Sequence, residues 1–125
     1  MIYGIGTDLV AVERVQVLWQ RHGERALEKL LAPAERIACA DSTAPGRFLA
    51  KRFAAKEALG KALGTGIRAP VLLPAIAVIH DMHGKPAFAF SDDLATWMEE
   101  RQLVAHLSIS DEIAHALAFV VVEKI

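Results

Sequence analysis

One stretch near the middle of the chain constrains the fold most: RFLAKRFAAKEALGKALGTG, from Arg47 to Gly66. Its large apolar residues spread around a helical wheel and alanines fill the gaps. A helix that is apolar on most sides is normally buried. The pattern predicts a helix from Arg47 to Leu63 that ends at Gly64, where a residue without a Cβ can take the left-handed conformation. We therefore expect this helix to form the centre of the fold.

Two charges on this helix point the same way. Glu57 and Lys61 lie one turn apart on one face. On a buried helix such charges need a partner, an ion or a ligand, and the alternative is an ordinary i,i+4 surface pair. The window from Arg47 to Arg68 holds six cations and one carboxylate, a net charge of +5, whereas the whole chain carries −1. This contrast favours a compact polyanion as ligand, with phosphate the natural candidate.

The remaining elements predict a single α+β domain spanning residues 1–125. A first strand is followed by helical segments, and two antiparallel hairpins enclose a further helix, so the best architecture is an antiparallel sheet wrapped around the long central helix. The predicted elements are a strand over 2–8, helices over 11–22, 24–31 and 33–40, a hairpin of 75–80 with 86–90, a helix from Ser91 to Gln102, and a second hairpin of 105–110 with 114–123.

Composition excludes several classes of protein. The single cysteine, Cys39, cannot form an internal disulfide, no apolar run is long enough to span a bilayer, and no secretory signal is evident, so we expect a cytoplasmic protein without a membrane partner. A net charge of −1 with eight aromatic residues argues against nucleic-acid binding. The hydrophobic content of 54% leaves room for a buried subunit interface.

Two carboxylates are candidates for metal binding: Asp8, at the end of the Gly-rich segment GIGTD, and Glu57. Two oxygen ligands, with waters and substrate phosphates completing the octahedron, are how proteins usually hold Mg²⁺. Taken separately, Asp8 could be a turn or helix cap and Glu57 a surface charge. His80 and His83 lie at a hairpin tip without further ligands at metal spacing, which favours a solvated loop.

Four segments together resemble a known family: GIGTDLV at 4–10, RFAAKEALGKALGTGI at 52–67, GKP at 84–86 and HLSIS at 106–110. In this order and within this length they resemble the holo-(acyl-carrier-protein) synthases, the small 4′-phosphopantetheinyl transferases. The resemblance covers essentially the whole chain. It implies the 4′-phosphopantetheinyl transferase fold. It also implies the family's reaction, the Mg²⁺-dependent transfer of phosphopantetheine from coenzyme A to a serine hydroxyl of apo-acyl carrier protein, for fatty acid biosynthesis.

The resemblance also implies roles for individual residues. Asp8 and Glu57 would bind Mg²⁺, Lys61 would contact the phosphates of coenzyme A, and His106 would lie beside them as a fourth catalytic residue. Either Glu57 or a water on the metal would be the general base, with His106 as the second choice. The coenzyme A contacts implied are Arg52, Lys61, Gly64, Gly66, Lys85, Pro86, His106 and Ser108.

One departure from the wider superfamily concerns the end of this last segment. Where the superfamily often has Ser-x-Thr-His, this chain has Ser108-Ile109-Ser110-Asp111. Ser110 can still donate a hydrogen bond to phosphate, but Asp111 cannot replace a cationic imidazole. A role for a second histidine is therefore not expected from this sequence.

Docking of the acyl carrier protein is expected on the first helix, where Arg14, Leu18 and Arg21 lie on one face. A solvated helix face is the alternative from spacing alone, and the resemblance favours docking because carrier proteins are strongly acidic. The resemblance further implies a homotrimer with substrate sites between subunits. Two rival functions remain: a noncatalytic coenzyme A or nucleotide-binding module, and a metal-dependent phosphohydrolase.

Overall fold

A computed structural model describes every residue from Met1 to Ile125 and contains five helices and five strands. They follow in the order β1 (Ile2–Ala11), α1 (Val12–His22), α2 (Glu24–Leu30), α3 (Pro33–Ala40), α4 (Pro45–Leu63), a 3₁₀ turn (Leu73–Ala75), β2 (Ile76–His80), β3 (Pro86–Phe90), α5 (Asp92–Glu100), β4 (Leu103–Asp111) and β5 (His115–Lys124). The predicted element types are confirmed, and none of the helices has both the length and the apolar content needed to cross a membrane.

Most element boundaries lie within one or two residues of the predicted ones, and three of the differences are informative. β1 continues past Asp8 to Ala11, because its pairing with β5 extends to the Ala11–His115 pair. α4 begins at Pro45 instead of Arg47, since the fixed φ of proline suits a first helical turn and the Phe48 N–H donates to the Ala44 carbonyl. α5 ends at Glu100, two residues early.

The strands form two antiparallel sheets instead of one. β1, β5 and β4 make a three-stranded sheet in that order, and the β2–β3 hairpin stands apart as a two-stranded sheet. α4 lies across one face of the larger sheet, which we call the inner face, and contacts both β1 and β5 there. The α+β class, with antiparallel strands packed around a long central helix, is confirmed.

The core confirms the prediction of a buried central helix. A cluster of 25 buried hydrophobic residues includes eight from α4, which present mostly alanine and leucine to the sheet and the other helices. The opposite, outer face of the three-stranded sheet has no helix against it. Its exposed apolar side chains are Tyr3, Ile5, Leu9, Val104, Leu117 and Phe119.

Candidate active site

Two glycines bring β1 into close contact with α4. A Cβ on Gly4 would overlap the Ala62 carbonyl, and a Cβ on Gly6 would overlap the Ala58 carbonyl. Only glycine therefore permits the strand to lie this close to the helix backbone. Asp8 is two residues farther along the same strand, so its side chain also points to the inner face and towards α4.

This close packing joins Asp8 to Lys61. The Lys61 ammonium donates to Oδ1 of Asp8 at 3.1 Å and to the Thr7 carbonyl at 2.9 Å. The Asp8 side chain is 17% exposed, whereas that of Lys61 is 55% exposed. The ammonium is therefore anchored to β1 and still reaches solvent, where an anionic ligand could meet it.

Glu57 belongs to the same group of charges. Burial raises the pKa of the Glu57 carboxyl, and the negative charge of Asp8 raises it further, while Lys61 and Arg14 act in the opposite direction. Glu57 lies one turn before Lys61 on α4, and Lys61 is paired with Asp8, so the Glu57 carboxyl shares the neighbourhood of both charges. The structure thus brings Asp8, Glu57 and Lys61 into one neighbourhood, as the resemblance implies, and the charge of Arg14 on α1 also acts on Glu57.

The donor set of this group fits a hard divalent cation. Asp8 and Glu57 contribute carboxylate oxygens, the ligands that Mg²⁺ prefers, and the repulsion between the two would be relieved by a cation. No histidine, cysteine or further carboxylate of the chain joins these two to make a third ligand. Two protein ligands also suit Mg²⁺, which is usually held by one or two carboxylates with waters and substrate phosphates in the remaining positions.

His106 and Ser108 lie on the other side of the sheet. Both are exposed on the outer face, where Nε2 of His106 is 2.7 Å from Oε1 of Glu123. The sheet separates them from Asp8, which points to the inner face. A single chain therefore does not bring His106 beside the carboxylate pair, in contrast to the arrangement that the resemblance implies for the complete site.

The charge count of the sequence treats Arg52 and Lys56 as basic groups that are free to bind a ligand, but the structure pairs both of them. Arg52 is 7% exposed and Lys56 has no exposed surface, and both form ion pairs with the buried Glu35. The Arg52 guanidinium also lies 3.7 Å from the centre of the Phe48 ring. Two of the six cations in the window are therefore paired inside the protein, which weakens the predicted basic surface.

Arg52 nevertheless lines a small polar cleft of about 170 Å³. The rest of its wall comes from Lys51, from the β2–β3 hairpin, which includes His80 and Pro86, and from Ile109 and Asp111 on β4. Burial, and then the charges of Arg52 and Lys51, lower the pKa of His80. Lys85, exposed in the hairpin turn, precedes Pro86 directly, so three of the predicted coenzyme A contacts lie at or beside this cleft. The sequence analysis favoured a solvated loop for His80 and did not predict that this residue lines a cleft.

The departure at Asp111 also has a structural explanation. Asp111 lines the polar cleft, and its Oδ2 accepts a hydrogen bond from the Arg47 guanidinium at 2.8 Å. Arg47 comes from the first turn of α4, so the pair ties that helix to the end of β4. Asp111 thus holds the Arg47 guanidinium beside the polar cleft, at the position where the wider superfamily often has a histidine.

Gly64 and Gly66 lie in the turn that ends α4. Both have positive φ, 79° at Gly64 and 64° at Gly66, a conformation in which a Cβ would be strained. The Gly66 N–H donates to the Gly60 carbonyl at 3.1 Å. These contacts account for both glycines as helix-ending residues, and contact with coenzyme A remains a prediction.

The predicted docking residues are on an exposed face of α1. Arg14, Leu18 and Arg21 are all solvent-accessible, and Leu18 lies at the edge of an apolar pocket of about 470 Å³. This apolar pocket lies between α1, α2, α4 and the 3₁₀ turn, and it is lined by Leu18, His22, Arg25, Ala26, Lys29, Leu30, Phe53 and Leu73. Sequence reasoning missed the basic residues of α2, although their density after Gly23 is visible in the sequence.

Comparisons with known proteins show the family of this chain. Residues 4–119 match the sequence model of the 4′-phosphopantetheinyl transferase superfamily. The holo-[acyl-carrier-protein] synthase of Dechloromonas aromatica is 57% identical over 123 residues, which cover 98% of each chain.

Solved structures of the same kind superpose closely. The crystal structure of holo-[acyl-carrier-protein] synthase from Neisseria meningitidis has a TM-score of 0.96 at 46% identity and covers 99% of this chain and 100% of that chain. The holo-(acyl-carrier-protein) synthase from Bacillus anthracis, solved in complex with CoA (3′,5′-ADP), has a TM-score of 0.84 at 35% identity, covering 100% and 99%. The chain therefore belongs to the 4′-phosphopantetheinyl transferase superfamily and, within it, to the holo-[acyl-carrier-protein] synthases.

Proposed function

We propose that this protein transfers the 4′-phosphopantetheine group from coenzyme A to a serine hydroxyl of apo-acyl carrier protein, in a Mg²⁺-dependent reaction that serves fatty acid biosynthesis in the cytoplasm. The observation that carries the proposal is the convergence of Asp8, Glu57 and Lys61, in which Lys61 lies 3.1 Å from Asp8 and the charge of Asp8 raises the pKa of Glu57. Two carboxylates with an exposed ammonium fit a pyrophosphate bound through a divalent cation.

The reaction is a substitution at phosphorus. The serine oxygen bonds to the β-phosphorus of coenzyme A, the bond from that phosphorus to the oxygen bridging to the α-phosphate breaks, and adenosine 3′,5′-bisphosphate leaves. The serine proton must pass to a base. Either Glu57 or a water on the metal would accept it, with His106 as the second choice.

Lys61 would bind the phosphates and hold them in place. Its ammonium is fixed by Asp8 and by the Thr7 carbonyl, so the charge is oriented before a substrate arrives. Asp8 and Glu57 would hold Mg²⁺, and that ion, when bound, would neutralise charge on the phosphate oxygens during transfer. A pure binding module needs the cations but gains little from two carboxylates beside phosphate, which weighs against the noncatalytic alternative.

The exposed face of α1 and the apolar pocket beside it would receive the acyl carrier protein. Arg14 and Arg21 supply positive charge on the helix, and Arg25 and Lys29 supply more around the apolar floor. An acidic partner with an exposed apolar side chain would complement both features. α1, which carries Arg14, packs against α4, the helix that carries Glu57.

A homotrimer with substrate sites between subunits would explain the outer face. Ile5 and Leu9 are 60% and 64% exposed there, in a row of apolar side chains that has no cover within one chain. His106 lies on the same face. A neighbouring subunit could bring its own His106 to the carboxylate pair, and light scattering on the eluted protein should then give three times the monomer mass.

Intact-mass spectrometry of apo-acyl carrier protein tests the reaction. With coenzyme A, this protein and Mg²⁺ present, the carrier should gain one phosphopantetheine arm, and the gain should disappear when the metal is chelated. Binding of coenzyme A without any gain would indicate the noncatalytic module. Phosphate release from coenzyme A without a carrier protein would indicate a phosphohydrolase.

A further inference from the structure

A buried charge cluster of Glu35, Arg52 and Lys56 takes no part in the proposed chemistry. The Lys56 ammonium donates to Oε1 of Glu35 at 2.6 Å, to the Leu30 carbonyl at 2.7 Å and to the Leu73 carbonyl at 3.0 Å. An ammonium has three donors. All three have partners inside the protein, so Lys56 cannot serve as a phosphate ligand although it lies next to Glu57 in the sequence.

Glu35 is equally occupied. Its Oε1 accepts the Ala32 N–H at 2.9 Å, its Oε2 accepts the Val78 N–H at 3.0 Å, and Nε of Arg52 lies 3.1 Å from Oε2. This last contact is an ion pair without the alignment of a hydrogen bond. The carboxylate therefore joins α3, α4 and β2 at one buried point.

Stability alone is a weak reason for such a cluster. Replacing a buried ion pair by apolar residues of similar volume is often neutral or stabilising, because the paired charges lose their hydration. What distinguishes this cluster is the location of its partners. Leu30 and Leu73 both line the apolar pocket, and Phe53, one turn before Lys56 on α4, lines it as well.

The Lys56 ammonium thus fixes the walls of the apolar pocket relative to one another. It bonds to the end of α2 through Leu30 and to the start of the 3₁₀ turn through Leu73, while its own helix supplies Phe53. Glu35 orients the ammonium from α3. It also pairs with Arg52, which lines the polar cleft and not the apolar pocket.

We propose that Lys56 is a positioning residue that sets the shape of the apolar pocket for the carrier protein, and that Glu35 positions both Lys56 and, through Arg52, the wall of the polar cleft. The proposal rests on the proposed function, because it takes the apolar pocket as part of the docking surface. Neither residue touches a substrate. Lys56 therefore affects the KM for the carrier protein, which would bind at the apolar pocket. Glu35 affects that KM and also the KM for coenzyme A, whose predicted contacts lie at the polar cleft.

Steady-state kinetics of Lys56→Met, with the KM of each substrate measured separately, tests this. We expect the KM for apo-acyl carrier protein to rise about tenfold, the effect of losing one well-packed contact at an interface, while kcat and the KM for coenzyme A change by less than about twofold. Glu35→Gln should raise both KM values. The matched controls are Lys124→Met and Glu99→Gln, at exposed positions that line neither cavity.

Circular dichroism and thermal unfolding would establish that each variant is folded. If Lys56→Met does not fold, Glu35→Gln/Lys56→Met replaces it, since that pair of changes leaves no buried carboxylate without a cation. The double variant should raise the KM for the carrier protein to the same extent.

Several results would overturn the inference. An unchanged KM for the carrier protein in folded Lys56→Met would show that the pocket does not depend on the ammonium. Equal changes in both KM values together with a fall in kcat would indicate general loosening, and failure of both Lys56 variants to fold would assign the cluster to folding alone. Wild-type protein that leaves the carrier unmodified would instead refute the proposed function, and the inference with it.

Discussion

Substitution of Gly6 by alanine should damage both folding and catalysis, because it moves β1 away from α4. The added Cβ would overlap the Ala58 carbonyl, lie 2.7 Å from the Ala62 backbone nitrogen and lie 3.0 Å from the Lys61 Cβ. Two of these atoms belong to the backbone of a buried helix, so they cannot rotate aside. Either the strand or the helix must shift.

The size of the effect follows from the cost of overpacking. Extra methyl groups in a packed core typically cost about 1–3 kcal/mol. Alanine in a strand recovers roughly 0.5–1 kcal/mol relative to glycine. Because the contacts at Gly6 are with backbone, we expect the upper end of the range, and the free energy of unfolding should fall by about 2 kcal/mol.

Gly46→Ala, in the first turn of α4, is the matched control for the same chemical change. A Cβ there would lie 3.1–3.3 Å from side-chain atoms of Gln16 and from no backbone atom among its nearest neighbours, so a small shift of Gln16 accommodates it. Alanine is better than glycine within a helix by roughly 0.8–1 kcal/mol. The control should therefore be neutral or slightly stabilising. Both variants add one methyl group to a glycine, Gly46→Ala on α4 and Gly6→Ala on the strand that packs against α4.

Urea unfolding of the three proteins measures the free energies, and transferase activity is then measured where each is more than nine-tenths folded. Gly6→Ala should lose at least tenfold in kcat beyond any unfolding, since a shifted β1 carries Asp8 away from Glu57 and Lys61. Equal stabilities for Gly6→Ala and Gly46→Ala would refute the close packing of strand and helix. Full activity in a destabilised Gly6→Ala would refute the link between that packing and the site.

Three further predictions concern single groups. Glu57→Gln should reduce turnover roughly 100-fold or more without lowering the unfolding midpoint, because burial disfavours the charge that is removed; an active variant would exclude Glu57 from the site. Arg14→Glu should raise the KM for the carrier protein and leave the KM for coenzyme A nearly unchanged, and equal KM values for wild type and variant would contradict docking on α1. The pKa of His80 is lowered by burial and neighbouring cations, so the unfolded chain binds more protons below pH 6.5 and stability should fall as the pH falls through that window. His80→Gln should flatten this slope in thermal unfolding between neutral and mildly acidic pH, and an unaltered slope would contradict the assignment.

The central helix was predictable because its signal is local. The distribution of leucine, phenylalanine and alanine over the segment from Arg47 to Leu63 indicates burial on most sides, and the structure buries that helix. Its start at Pro45 was missed because proline suits both a loop and a first helical turn. β1 was ended at Asp8 because its continuation to Ala11 depends on pairing with β5, more than a hundred residues later.

The environment of Lys56 could not be read from the sequence. A lysine in RFAAKEALGK looks like any other basic residue of a helix, and its partners are Glu35, Leu30 and Leu73, on separate elements. Two of these partners are backbone carbonyls, which carry no sequence signal. The charge count therefore overestimated the cations available to a ligand. The placement of Glu57 and Lys61 on one face of a helix was predictable, because i,i+4 spacing is local.

The separation of Asp8 from His106 follows from the register of the sheet. Asp8 pairs with Ala118, and Ala118 pairs with Ile109, so the inner face takes the odd-numbered residues of β4. His106 is even-numbered and faces outward, opposite Val121. Alternation within β4 was visible in the sequence, but a shift of one residue in either pairing would reverse the outcome, and the sequence does not specify it. Any reaction that uses both groups at one phosphate must therefore take the imidazole from a second chain, and if His106 is used in this way, activity would depend on self-association at the outer face.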